Sequence, residues 1–267
     1  MPVARNARPL AASSAAELEY VQALRGIARG VAEGTARAMR RHLRAPESHG
    51  RVVRVDALGR IAPHSQTISL LGVQVQTHMK QEVGKAFDRM ATAVDAKNKA
   101  GVRQVIGIPR VEVATAPIRD TFREHNIALM QKAGGEYVEK VRAILENPAN
   151  EGVRVEELAR QMKAAAEEMG EKGDALASRA ELIARDQTLK LNAQLTMTRM
   201  QGNGVKRYTW STSNDERVRP EHAAVNGQEF SWDAPPPVGV NGDAVNPGED
   251  IQCRCLPLPI LPDFDDL

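Results

Sequence analysis

The chain has 267 residues, 42% of them hydrophobic and 26% charged, with a formal net charge of +2. That balance belongs to a globular protein with room for a substantial core. It excludes a membrane-spanning chain, because no apolar run approaches the roughly 20 residues a span requires.

The opening MPVARNARPL carries arginines with no apolar stretch behind them, so no signal peptide is expected. Aromatic residues make up only 3% of the chain, so the core is expected to rest on Ala, Val, Leu, Ile and Met, as in helical bundles. Charge is unevenly placed. Residues 1–60 hold eleven arginines against five acidic residues, while residues 205–267 hold five basic residues against eleven acidic ones. The two ends are therefore expected to meet different partners. The basic end can contact DNA phosphates, but it lacks the aromatic platform of a single-strand binder. A solvated helix face, or contact with an acidic protein surface, fits the same residues.

In chain order, residues 1–12 read as disordered. From Ser14 to Leu43, the set Leu18, Val21, Leu24, Ile27, Ala28 and Val31 predicts an amphipathic helix, capped at Ser13 or Ser14 and ended by Pro46 and Gly50. RVVRVDALGRI at 51–61 alternates around a turn signal and predicts a short hairpin. A second helix is expected from Ser65 to about Lys97, its stripe formed by Ile68, Leu71, Val75, Met79, Val83, Phe87, Met90 and Val94. The segment NKAGVRQVIGIPRVEV then reads as extended. A third helix is expected over Pro117–Asn147, with Gly134 and Gly135 marking a bend or a close helix contact. Shorter and longer helices follow over Val155–Gly170 and Ala175–Met200.

Beyond Gly202 and Gly204 the composition changes. Tyr208–Ser211 predicts a strand with Tyr208 and Trp210 on one face. Pro220 opens a helical turn bearing Glu221 and His222. Asn226-Gly227 signals a two-residue hairpin that pairs the segment before it with Gln228–Trp232. A proline-rich excursion then returns to Cys253 and Cys255, the chain's two cysteines.

One residue separates those cysteines, too few for an unstrained disulfide, so the thiols are expected to be reduced and the chain to be made in a reducing compartment. With His222 as a nitrogen donor and Asp215 as an oxygen donor, they form a candidate tetrahedral set for zinc of a structural kind. The same residues also fit a metal-free reading: two buried thiols in a small core, with His222 hydrogen-bonded to backbone.

Three blocks carry a family resemblance: RAELIARDQTLKLN at 179–192, GVKRYTWSTSNDERVRPEHAAVNGQEFSWDAPPP at 204–237 and NPGEDIQCRC at 246–255. Together they resemble the phage Mu F-like head morphogenesis family, the minor head proteins of tailed phages. The resemblance places Arg185, Asp186, Tyr208, Trp210, Arg217, Arg219, Gly227, Pro247, Gly248 and Arg254 in the matching motifs. The chain's own pattern, with no family likeness over the first hundred residues, predicts a mainly α fold with a small α+β C-terminal domain. Residues 1–108 would form a helical arm, 109–203 a central helical region and 204–267 a compact, loop-rich end domain containing β-structure.

The implied role is that of a structural minor head protein, in few copies per head. It would act with the portal, capsid or scaffold in procapsid assembly and genome packaging or delivery. Its place would be the virion, at the head interior or portal vertex, after assembly in the host cytoplasm. The expectation is of a non-enzyme. The alternative is a zinc-dependent hydrolase, a nuclease or peptidase, with Glu221 as base or with His222, Cys253 and Asp215 as a nucleophilic set. No H-E-x-x-H, G-x-S-x-G or P-loop pattern supports it.

Overall fold

The structure is a computed structural model that describes residues 10–43, 62–107, 111–150, 153–167 and 175–261. The readings for residues 1–9 and for the 51–61 hairpin lie outside these residues. The described chain is mainly α, with a small antiparallel sheet near its C-terminal end. The helices are α1 (Ser14–Leu43), α2 (Ala62–Ile106), α3 (Ala116–Glu146), α4 (Val155–Glu167), α5 (Leu176–Gly202) and α6 (Pro220–Ala224), and the strands are β1 (Arg207–Ser211), β2 (Glu229–Ser231) and β3 (Leu256–Ile260). Among the described residues no helix is long and apolar enough to cross a membrane. The chain gathers into two compact units, each built from separate stretches of sequence.

One unit comprises Tyr20–Phe87 and Glu124–Ala184. Helical spacing explains its core. The predicted stripe of α2 is buried from Ile68 to Phe87, beside Leu24, Ala28 and Val31 of α1 and Met130, Tyr137 and Val141 of α3. Leu18, expected on the α1 stripe, is 58% exposed, because the buried line runs through Ala16, Tyr20, Leu24 and Ala28, on the opposite side of the helix. The Gly134-Gly135 pair marks a close helix approach. A Cβ on Gly134 would stand 3.0 Å from Val75 Cγ1 and 3.4 Å from Met79 Cε. Reciprocal amide bonds lock the same crossing, since Gln76 Nε2 donates to the Gln131 carbonyl at 2.9 Å and Gln131 Nε2 to the Gln76 carbonyl at 3.2 Å. Buried tyrosine hydroxyls are also satisfied: Tyr20 donates to Asn126 Oδ1 at 2.9 Å and Tyr137 to the Met162 carbonyl at 3.0 Å.

The other unit comprises residues 1–19, 88–123 and 185–267, as far as they are described. Its sheet has the order β2-β1-β3 and is antiparallel throughout. Tyr208 and Trp210 of the central strand are fully buried. They pack with Leu10, Val102, Met200, Val205, Trp232, Val238, Cys253 and Cys255 in one apolar core. β3 was not expected from the sequence. Pro257 lies opposite Trp210 and Pro259 opposite Tyr208; a strand with two prolines suits a sheet edge, where the missing N–H groups need no partner.

Two further departures from the sequence reading have physical causes. α2 continues to Ile106 through a stretch read as extended, because Asn98 and Val102 are buried there and burial overrides the weak helix propensity of Gly and Val. Asn226-Gly227 closes the turn from α6 into β2 rather than a two-residue hairpin. The partner of β2 is β1, with Gly227 N–H donating to the Trp210 carbonyl at 2.8 Å and Gly227 at φ 81°.

A buried polar network joins α2 to α5 within this unit. Arg199 Nη1 donates to Asn98 Oδ1 at 2.6 Å and Arg199 Nη2 to Asp95 Oδ1 at 2.5 Å. Asn98 Nδ2 in turn reaches Thr196 Oγ1 at 2.7 Å and Asn192 Oδ1 at 3.0 Å, and Asn192 Nδ2 holds the Leu10 carbonyl at 2.8 Å. With every member paired, the network fixes how these helices meet.

Candidate metal centre

His222 reaches the centre through a chain of local causes. Pro220 supplies a pre-set φ at the first turn of α6, with Arg219 as the N-cap in extended conformation. The five-residue helix directs His222 inward, where it is 2% exposed. There its ring stands edge-on to Trp210, with centroids 5.3 Å apart. Cys253 and Cys255 arrive from the other side on the segment leading into β3, and they are 3% and 4% exposed.

Both sulfurs lie 3.5 Å from His222 Nδ1. All three donor atoms fall within 4.8 Å of one another. Zinc bonds of about 2.3 Å to sulfur and about 2.0–2.1 Å to nitrogen, set at the tetrahedral angle, separate S from N by about 3.5–3.6 Å. The observed separations match that edge.

The far side of the imidazole decides which nitrogen is the donor. His222 Nε2 stands 3.1 Å from the Val238 carbonyl and 3.5 Å from Asp250 Oδ2. Both partners are acceptors, so the ring proton sits on Nε2 and the Nδ1 lone pair faces the sulfurs. A ligating histidine backed by a carbonyl or carboxylate is the arrangement metal centres use.

The thiols are prepared as well. Cys253 is pulled down to about 6, first by the S–H bond that Cys255 can donate and then by the backbone N–H groups of Cys255 and Gly248, against its burial. Cys255 is pushed up by the same bond and by burial, while the Trp210 indole N–H favours its ionised form. That indole nitrogen is buried without a hydrogen-bond partner. The pair therefore gives up its first proton readily. Two sulfurs equidistant from Nδ1 can share a cation, and the same 3.5 Å separations also suit S–H···N hydrogen bonds. The residues present fit zinc, which would supply a tie between α6 and the end of the chain.

The structure does not bring Asp215 into this group. Its Oδ1 accepts from Arg254 Nη2 at 2.8 Å and from the Arg217 N–H at 3.0 Å. The buried carboxylate beside the centre is Asp250, which sequence reasoning passed over. Asp250 also holds Arg219 Nη1 at 2.9 Å, and Arg219 Nη2 donates to the Ile251 carbonyl at 2.5 Å. The available signal was its position three residues before Cys253, inside the NPGEDIQCRC block.

Asp186 acts on the same loop from α5, with Oδ1 accepting from the Gln252 N–H at 2.9 Å and Oδ2 paired with Lys190 at 2.9 Å. Gln252 stands at φ 54°, so the loop is held in a conformation that an L-residue seldom adopts. Tyr208 donates to Asn246 Oδ1 at 3.0 Å, one residue before the buried Pro247. Gly248 has φ 89°, and a Cβ there would approach Ala193 Cβ of α5 to 2.8 Å. Gly248→Ala combines backbone strain with a clash, so a loss of about 2–4 kcal/mol is expected, read as a lowered denaturation midpoint with an unchanged slope.

His222, Cys253 and Cys255 all line one cavity of about 470 Å³, with Arg185, Arg217, Arg219 and Arg254 also in its wall. The class is thus a helical chain whose small β-containing end brings His222, Cys253 and Cys255 together. Residues 139–257 match the model of the phage Mu protein F like family. The chain is also similar, at 33% identity over 178 residues, to an uncharacterized protein of Haemophilus influenzae; the alignment covers 67% of this chain and 37% of that relative. The chain therefore matches little over a third of that relative's length. No solved structure matches the chain.

Proposed function

We propose that this protein is a structural minor head protein that acts with the portal in procapsid assembly and in genome packaging or delivery. It would be present in few copies, at the head interior or portal vertex. The observation that carries the reading is the coincidence of the family match over residues 139–257 with the His222, Cys253 and Cys255 centre that closes the same segment. In this reading zinc at that centre is structural, and the unit bearing it docks on portal, capsid or scaffold protein. The arginines of the first sixty residues face DNA or an acidic protein surface; among those described, Arg25 already pairs with Glu181 at 3.3 Å.

Co-expression of the full chain with the portal protein of the same phage or prophage, followed by pull-down, tests the assignment. Co-purification that is lost in His222→Ala is the expected result. Absence of any association with portal, capsid and scaffold proteins under assembly conditions would overturn it. A zinc-dependent hydrolase is the competing reading, motivated by three donors lining one open cavity. It predicts instead that the folded, zinc-loaded chain cleaves DNA or head protein.

A further inference from the structure

We propose that the cation held by His222, Cys253 and Cys255 keeps one coordination position open to the arginine-walled cavity, and that this position takes a phosphate group. The proposal rests on the metal reading of the centre and adds a ligand to it.

The donor set stops at three. Among the described residues, His222, Cys253 and Cys255 are the whole group of His, Cys, Asp and Glu donors that converge there. Asp215 is engaged by Arg254, and Asp250 lies against Nε2, on the side of the imidazole away from the sulfurs. Zinc that binds three protein side chains completes its tetrahedron with an exogenous ligand. All three donors line the cavity of about 470 Å³, so that ligand can enter through it.

The wall around that opening defines the ligand. Four arginines contribute to it, with Glu17 as a carboxylate in the same lining. Arg219 is held by Asp250 at 2.9 Å, Arg254 by Asp215 at 2.8 Å, and Arg185 stands 3.9 Å from Glu17. These contacts fix three guanidiniums in place and partly neutralise them. Arg217 is exposed, and its guanidinium makes no ion pair among the described residues. Guanidinium groups match oxyanions by forked, charge-assisted hydrogen bonds. A carboxylate that gives one oxygen to the metal keeps a single oxygen for arginine. A phosphate gives one to the metal and still presents others to several guanidiniums. Free phosphate and the phosphate of a nucleic acid share this chemistry.

The test uses the full chain loaded with cobalt(II) in place of zinc, whose visible absorption reports the ligands at the centre. Inorganic phosphate is one probe, and a short oligodeoxynucleotide with a 5′-phosphate is the other. The expected result is a saturable change in the cobalt spectrum with at least one probe. The same titration should be weakened about tenfold or more in Arg217→Ala, the loss of one charge-assisted hydrogen bond, with the ligand-free spectrum and melting temperature unchanged. A response to the oligonucleotide at lower concentration than to free phosphate assigns the site to DNA; the reverse order assigns it to the free anion. If cobalt binds and the spectrum ignores both probes, this proposal fails and the structural metal stands. If Arg217→Ala titrates like the parent, the arginine wall is not the recognition element and the proposal fails too. If no metal binds, both the centre and its ligand are overturned together.

Discussion

Trp210→Ala is expected to lower the stability of the unit carrying β1 by about 3–5 kcal/mol, the range for deleting a buried aromatic side chain. Few positions concentrate as many dependencies. The ring is fully buried on the central strand, opposite Pro257 of β3. It stands 5.3 Å from the His222 ring and 6.4 Å from Phe230, edge-on to both. Its removal opens a cavity beneath the imidazole and withdraws the N–H that favours ionised Cys255. Domain stabilities are about 5–15 kcal/mol, so the loss is a large share of the total. For units of this size each kcal/mol moves the melting temperature by about 2–4 °C, giving an expected fall of roughly 6–20 °C by circular dichroism. Trp210→Phe keeps most of the packing and should recover most of that fall. A change of no more than a degree or two in Trp210→Ala would mean that the core does not depend on this ring.

Metal removal is expected to have a comparable effect. Purified chain should carry one zinc, and a strong chelator should strip it with a fall in melting temperature that added zinc reverses. A ligand that binds only the folded state at a thousand times its Kd contributes about 4 kcal/mol. His222→Ala and Cys253→Ser should each abolish zinc binding and leave proteins insensitive to the chelator. Because Nδ1 faces both sulfurs, neither thiol compensates for loss of the imidazole. If the parent protein carries no zinc and melts identically with and without chelator, the three side chains are a packed thiol–imidazole cluster. His222→Ala would then leave a cavity beside Asp250, which Arg219 still holds, without any metal effect. Against a catalytic centre the distinction is also measurable: a structural tie shows itself as lost stability, a catalytic one as a stable but inactive chain.

What the sequence by itself determined is what short-range physics controls. Helical periodicity and caps defined α1 and α3 to within a residue or so, and Ser13 does cap α1, accepting from the Ala16 N–H at 3.3 Å. Alternation placed Tyr208 and Trp210 on one buried face, and the pairing of two close cysteines with an inward histidine was readable from residue chemistry alone. The family likeness was readable too, because it resides in three blocks of wording that survive without coordinates.

Tertiary structure decided the rest. The extension of α2 to Ile106 depends on the burial of Asn98 and Val102, which local propensity cannot foresee. β3 exists only because Tyr208 and Trp210 offer a strand edge to a segment whose prolines discourage pairing in isolation. Asp250 rather than Asp215 stands by the centre because a turn that places Cys253 N–H on the Asp250 carbonyl, at 3.1 Å, folds that carboxylate under the imidazole. The gathering of residues near 10, 98, 199 and 208–260 into one core has the same origin. Such contacts join positions far apart in the chain, and their energies depend on shape and burial that no local pattern of residues encodes.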